Sequence, residues 1–183
     1  MKKITRQWLI KHEACSDGIE WYDGLGKTNI KDIYRAGEQD DFDYIVWHIA
    51  ESLIIRKKIE FAIFCAELVL PIFENEYPSD DRPRKAIEAA QSVLRRNTKK
   101  NKEDAEDAAW SARAVGEGGV ASWAARAASL VALAAREVKA VWVTLWVEMA
   151  ASWAAKAAVA SDAAKTKKQI VAYGYKLVTG EDY

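Results

Sequence analysis

Two histidines, two cysteines and three clusters of acids are the side chains whose types first suggest chemistry in this chain. His12 and Cys15 stand three residues apart, a spacing compatible with a metal, but no second ligand pair accompanies them and no zinc site is read there. His48 lies inside a densely apolar stretch, and its plainer reading is a core imidazole with one hydrogen bond. The sharper reading makes it a base working with Asp43 or Glu51; Glu51, three residues on, could share its helix face. Gly26-Lys27-Thr28 ends like a phosphate-binding loop, yet Trp21 stands where the first glycine of that loop belongs. Asp40, Asp41 and Asp43 form one acidic cluster; Glu74, Glu76, Asp80 and Asp81 a second; Glu103, Asp104, Glu106 and Asp107 a third. Helix capping and solvated turns explain all three, and the alternative is a set of acidic contacts for a basic partner. No cofactor or metal is expected.

The elements that must position these groups are helices. Glycine and proline are scarce, with nine and three in 183 residues, while alanine crowds the second half. The composition predicts an all-α, compact multi-helix bundle, with short N-terminal helices and long Ala/Trp-rich C-terminal ones. Basic and acidic side chains balance at 27 each, which gives no general attraction to nucleic acid or anionic membranes. The longest uncharged stretch, nine residues at 127–135, falls short of the ~20 that a membrane span needs. With two cysteines and no leader-like apolar run after Met1, a cytoplasmic protein is expected.

Two parts follow: a short-helix segment over 1–40 packed on a helical domain over 41–183, with a charged connector near 96–102. Thr5 caps the first helix, Ser16 or Asp17 the second, and Gly37 stops a third that begins after Asn29. Asp40 or Asp41 opens a central helix, which Arg56-Lys57-Lys58 either ends or marks with an exposed strip. Pro71 kinks the next helix, Pro78 ends it, and Asp81 with Pro83 starts another. Acids from Glu103 onward match the positive end of a further helix. No glycine or proline interrupts residues 120–173, yet one helix of that length would run ~80 Å, so a break is expected near Arg136 to Ala140. Near copies of an Ala-Ser-Trp-Ala-Ala-Arg unit recur around Trp110, Trp123 and Trp153, without a common period. Trp142, Trp146, Met149 and Trp153 form a stripe at helical spacing, which is read as core, with a cofactor box or an exposed binding stripe as the alternatives.

Three stretches resemble known families. Ile4-Thr5-Arg6-Gln7-Trp8-Leu9, followed by Ala14-Cys15-Ser16-Asp17-Gly18-Ile19-Glu20-Trp21, looks like an N-terminal segment common in phage and prophage proteins. Phe61 to Phe73, with Asp81-Arg82-Pro83-Arg84-Lys85-Ala86-Ile87-Glu88-Ala89-Ala90, resembles a helical family of immunity proteins. The Ala-rich remainder is similar to the same family, so that the likeness runs from about Ile4 to Ala164. The resemblance implies a non-enzymatic, protein-binding inhibitor that neutralises a toxin. The phage-type segment widens the target to a host-defence effector, in the manner of an anti-CRISPR protein. The expected partner is therefore a protein, a nuclease among the candidates, with no membrane and no nucleic acid; a homo-oligomer is the further option. Glu74, Glu76, Asp80, Asp81, Arg82, Arg84 and Lys85 are the expected contact residues. Two alternatives stand beside this reading. One is sequestration of a nucleotide signal by Trp47, Arg56, Arg82 and Arg84; the other is a purely oligomerising helical module.

Overall fold

The structure is a computed structural model that describes residues 4–115, 119–137 and 140–183. Among these, ten α-helices follow one another with no strand: α1 (Arg6–Lys11), α2 (Ser16–Leu25), α3 (Ile30–Gly37), α4 (Phe42–Ser52), α5 (Ile55–Glu76), α6 (Arg82–Arg95), α7 (Lys99–Arg113), α8 (Gly119–Arg136), α9 (Ala140–Ala157) and α10 (Ala163–Thr179). The all-α bundle expected from composition is the architecture found.

Capping chemistry sets several of the starts. Thr5 Oγ1 accepts the Trp8 N–H at 3.2 Å, and Asn29 Oδ1 accepts that of Lys31 at 2.8 Å. The second helix begins differently from the expectation: Cys15 is its cap, with Sγ accepting from Gly18 N at 3.4 Å, while Ser16 and Asp17 lie inside the first turn. Asp41 caps α4 without a side-chain bond to the helix, because its carboxylate takes the Trp21 indole N–H at 2.6 Å instead. Thr98 caps α7 through Asn101 N, so Lys99 to Lys102 form a first turn rather than a loop. Only residues 96–98 link α6 to α7.

Two breaks follow from tertiary packing and carry no glycine or proline. The chain turns extended at Leu53 and Ile54, and Arg56-Lys57-Lys58 then opens α5. Lys58 is 5% exposed, so the expected surface strip is in part a buried charge. The α5 helix carries Pro71 within it and continues to Glu76, closing one residue before Tyr77. The break anticipated near Arg136 to Ala140 is present, with 138–139 outside the described residues. A second interruption follows a 3₁₀ turn at Ala158–Ala160, after which Asp162 accepts from Lys165 N and starts α10.

At the centre runs α8, packed on α5, α6, α7 and α9. Ala121, Ala124, Ala125, Ala128, Ala132 and Ala135 are buried on its different sides, and Val131 is wholly enclosed. Methyl-sized side chains let helix axes approach to the short end of the usual ~8–10 Å. The same closeness limits the expectation for the tryptophan stripe: Trp146 and Trp153 pack against the core, whereas Trp142 and Met149 do not. In α9 the residues turned inward are Val143, Val147, Ala150, Ala151 and Ala154, each fully buried. Trp142, Leu145 and Met149 stay 46%, 42% and 38% exposed, and Trp146 and Trp153 are half-buried. An indole has no room in an alanine-lined contact, so the bulky face of α9 points outward.

The last helix returns to close the bundle over α3, α4 and α5. Gly174 permits that return: a Cβ there would stand 2.4 Å from Ile49 Cδ1 and 2.9 Å from Cγ2. Gly37 plays a like part against Trp21 and Ile45, and is not the helix stop expected, since α3 runs through it to a cap at Glu38. Tyr34, fully buried, meets Tyr175 edge-on with ring centres 6.0 Å apart. Gly174→Ala gains helix propensity of roughly 1 kcal/mol but overpacks by about 1–3 kcal/mol. The expected outcome is a melting midpoint lowered by several degrees in circular dichroism. An unchanged or raised midpoint would show that Ile49 yields freely.

Candidate partner-binding surface

The charged corner that joins α5 to α6 brings the expected contact residues together, and pairs most of them with one another. Asp80 receives both Nε and Nη2 of Arg82, at 2.9 and 2.6 Å, with the Arg82 backbone N–H at 3.1 Å. These hydrogen bonds hold the Asp80 carboxyl below its ordinary range and raise the guanidinium's. Arg84 pairs with Glu74, and Lys85 with Asp81 at 2.9 Å; Glu76 lies beside the Tyr77 hydroxyl. Such exposed pairs each stabilise by roughly 0–1 kcal/mol and leave little unspent charge.

Among the described residues, the acids expected beside His48 are held by other partners, and the expected nucleotide-holding side chains are not brought together. His48 Nδ1 and the Tyr34 hydroxyl share a 2.6 Å hydrogen bond, and Ser52 Oγ stands 3.4 Å from Nε2. Glu51 is taken by His12 at 3.2 Å, and Asp43 accepts the Ser152 hydroxyl at 2.7 Å. His12 stacks on Trp8 with ring centres 4.0 Å apart, while Cys15 caps α2, so this pair shares no site. Arg56 donates to Leu94 O at the far end of α6. That places it about 18 Å along the helix from Arg82, and Trp47 packs elsewhere against Trp8. Among the described residues, no three His, Cys, Asp or Glu side chains are grouped to hold a metal ion.

A polar seam does lie between α4, α5 and α9. Thr144 accepts the Lys58 ammonium inside it, and four residues along α9 Glu148 faces Lys58, Glu51 and Asp43. Burial lowers the Lys58 pKa, while the fields of Glu51 and Glu148 oppose that fall. Burial pushes Glu148 up from an ordinary 4.5 to about 7; Glu51 and Asp43 add to the rise and Lys58 resists it.

The structure also places a surface that sequence reasoning missed. Outward from α8 and α9, a groove of about 320 Å³ is lined by Val115, Leu130, Leu133, Met149 and Trp153, with Arg113, Arg126 and Ser129. Trp123 extends it, 6.5 Å from Trp153 between ring centres, and Trp142 and Trp146 lie 6.4 Å apart further along α9. Trp110, on α7, is 54% exposed. Single exposed apolar residues are ordinary, but a contiguous aromatic face marks a contact site. Its signal was in the sequence: α9 carries a small-residue stripe opposite the tryptophan stripe, and only one can face an alanine-rich neighbour.

An all-helical bundle with an unburied aromatic face defines the class of the molecule. Residues 55–135 match the family described as Imm-5 like putative immunity protein, and this stretch, from the start of α5 almost to the end of α8, is a domain of that kind. The matched stretch is narrower than the 4–164 span of the sequence resemblance. Comparison with curated proteins and with solved structures finds no match. No helix among the described residues is long and apolar enough to cross a membrane.

The seam makes a testable pH dependence. Because the folded pKa of Glu148 exceeds the unfolded one, the folded chain keeps a proton that the unfolded chain releases between about 4.5 and 7. The stability this provides is full below that window and is lost as pH rises through it. Glu148→Gln should flatten the slope of midpoint against pH over this range and stabilise above pH 7, by at most about 3 kcal/mol. A variant with the native slope would place the titration elsewhere.

Proposed function

We propose that this protein binds a protein toxin and neutralises it by covering its working surface, with no bond made or broken. The observation that carries the reading is the aromatic face of α8 and α9, which the fold leaves uncovered although it could serve as core. The immunity-type domain supports it, since such a domain implies a cognate toxin. Tight blocking needs a few large anchors in partly desolvated pockets, and Trp146, Met149 and Trp153 are of that type. The charged corner of Glu74, Glu76, Asp80, Asp81, Arg82, Arg84 and Lys85 is proposed as a second, polar contact that affects the rate of encounter more than the strength of binding. The phage-type N-terminal segment supports a host-defence effector, a nuclease among the candidates, as an alternative target for the same surface.

Tagged full-length protein should recover one growth-inhibiting protein from cells, and co-expression should restore growth in proportion to dose, saturating near one inhibitor per target. Trp146→Ala with Trp153→Ala should lose at least tenfold in affinity while keeping its circular dichroism. Rescue at far below one inhibitor per target would indicate catalysis and end the proposal. Recovery of only the protein itself would indicate an oligomerising module, and a midpoint raised by nucleotides alone would indicate sequestration.

A further inference from the structure

Two cations, Arg113 and Arg126, line the groove on α8 and α9, and a third, Lys156, reaches the Trp153 ring while lining another pocket with Asp40 and Asp43. The Arg126 guanidinium lies 5.2 Å from the centre of the Trp153 ring, and the Lys156 ammonium 4.7 Å from it. Arg113 lines the same groove and stands 5.6 Å from the Trp110 ring. Among the described residues, no carboxylate pairs with any of these three cations. Some cations elsewhere hold an acid, as Arg82, Arg84, Lys85 and Arg136 do, and others rest on rings as here, Arg35 on Tyr183 and Lys167 on Phe42. What sets Arg113 and Arg126 apart is the apolar groove between them. Two like charges over one indole repel each other, and an anion between them would remove that cost. An apolar floor of Leu130, Leu133 and Met149 lowers the local dielectric and strengthens the field above it.

We infer that this groove is the docking site for an acidic protein segment, one that sets an apolar side chain on the floor and presents Asp or Glu to Arg126 and Arg113, with Lys156 adding its field from beside Trp153. The inference rests on the blocking reading and adds the chemistry of the partner. A guanidinium takes a carboxylate through two parallel hydrogen bonds, and Trp153 holds Arg126 in place for it. A second copy fits poorly, because a two-fold contact lays one basic patch upon another. Nucleic acid fits poorly too: three cations in a chain of zero net charge give a weak phosphate track, whereas the apolar floor has no phosphate to receive.

Selection of random 15-residue peptides on the full-length protein tests this without knowledge of the natural target. The enriched peptides should combine two or more Asp or Glu with Leu, Phe or Trp, and their affinity should fall with salt. Arg126→Glu with Lys156→Glu should weaken them at least tenfold, whereas Lys168→Glu on the exposed side of α10 should not. Arg126→Gln with Lys156→Gln, which adds no new charge, should weaken them to a lesser extent and guards against misfolding. Enrichment of neutral or basic peptides, or indifference to these substitutions, would overturn the inference. So would tighter binding of a DNA oligonucleotide at the same residues, or a dimer in sedimentation that Trp146→Ala abolishes. The two readings fail separately. Acidic peptides that depend on the groove, without any neutralised toxin, would leave the docking chemistry standing and remove the function. Rescue that persists in the charge-reversed variant would do the opposite.

Discussion

Close approach of alanine-lined helices around α8 is the constraint on which the rest depends. A helix enclosed by four neighbours cannot carry large side chains on every side without pushing them apart, and the wholly buried alanines show how this is met. The small residues contribute little apolar area each, so their benefit lies in the density of contacts between backbones and methyl groups. The cost is displaced bulk. Once α9 turns Val143, Val147, Ala150 and Ala154 inward, Trp142 and Met149 are left largely to solvent, and Trp146 and Trp153 cover the core by one face only.

Away from that alanine centre, polarity and large rings fix the register. Lys58 meets Thr144 across α5 and α9, and Ser152 meets Asp43 across α9 and α4. The buried one, Lys58 with Thr144, tolerates no slip of α5 past α9, because a displaced partner leaves a desolvated charge, whereas the exposed Ser152–Asp43 bond only adds to the register. At the opposite side, Tyr34, His48 and Tyr175 interlock α3, α4 and α10, with Gly174 giving the clearance.

The two charged surfaces differ in a way that bears on function. Around α5 and α6 the acids and bases satisfy each other, so a partner gains little by approaching them. Over α8 and α9 the cations rest on indole faces and the apolar side chains lie uncovered. A surface poor in internal pairing and rich in aromatic area retains its interaction energy for another molecule.

Helix content, most helix starts and the break near Arg136 were legible from residue type, because capping and chain length are local matters. The motifs between Phe61 and Ala90 also sufficed to mark the immunity-type domain over 55–135. Residue type alone left the rest open. Both stripes of α9 are apolar, so periodicity could not say which is inside; the alanine surface of α8, distant in sequence, made that choice. The burial of Lys58 likewise arises from a contact with α9, at Thr144, and has no local signal. That the acids and bases near Arg82 mostly pair with one another was also not legible, because the turn between α5 and α6 sets those pairs. Local chemistry determined where helices begin and end, whereas long-range packing decided which faces are spent on the fold and which remain for a partner.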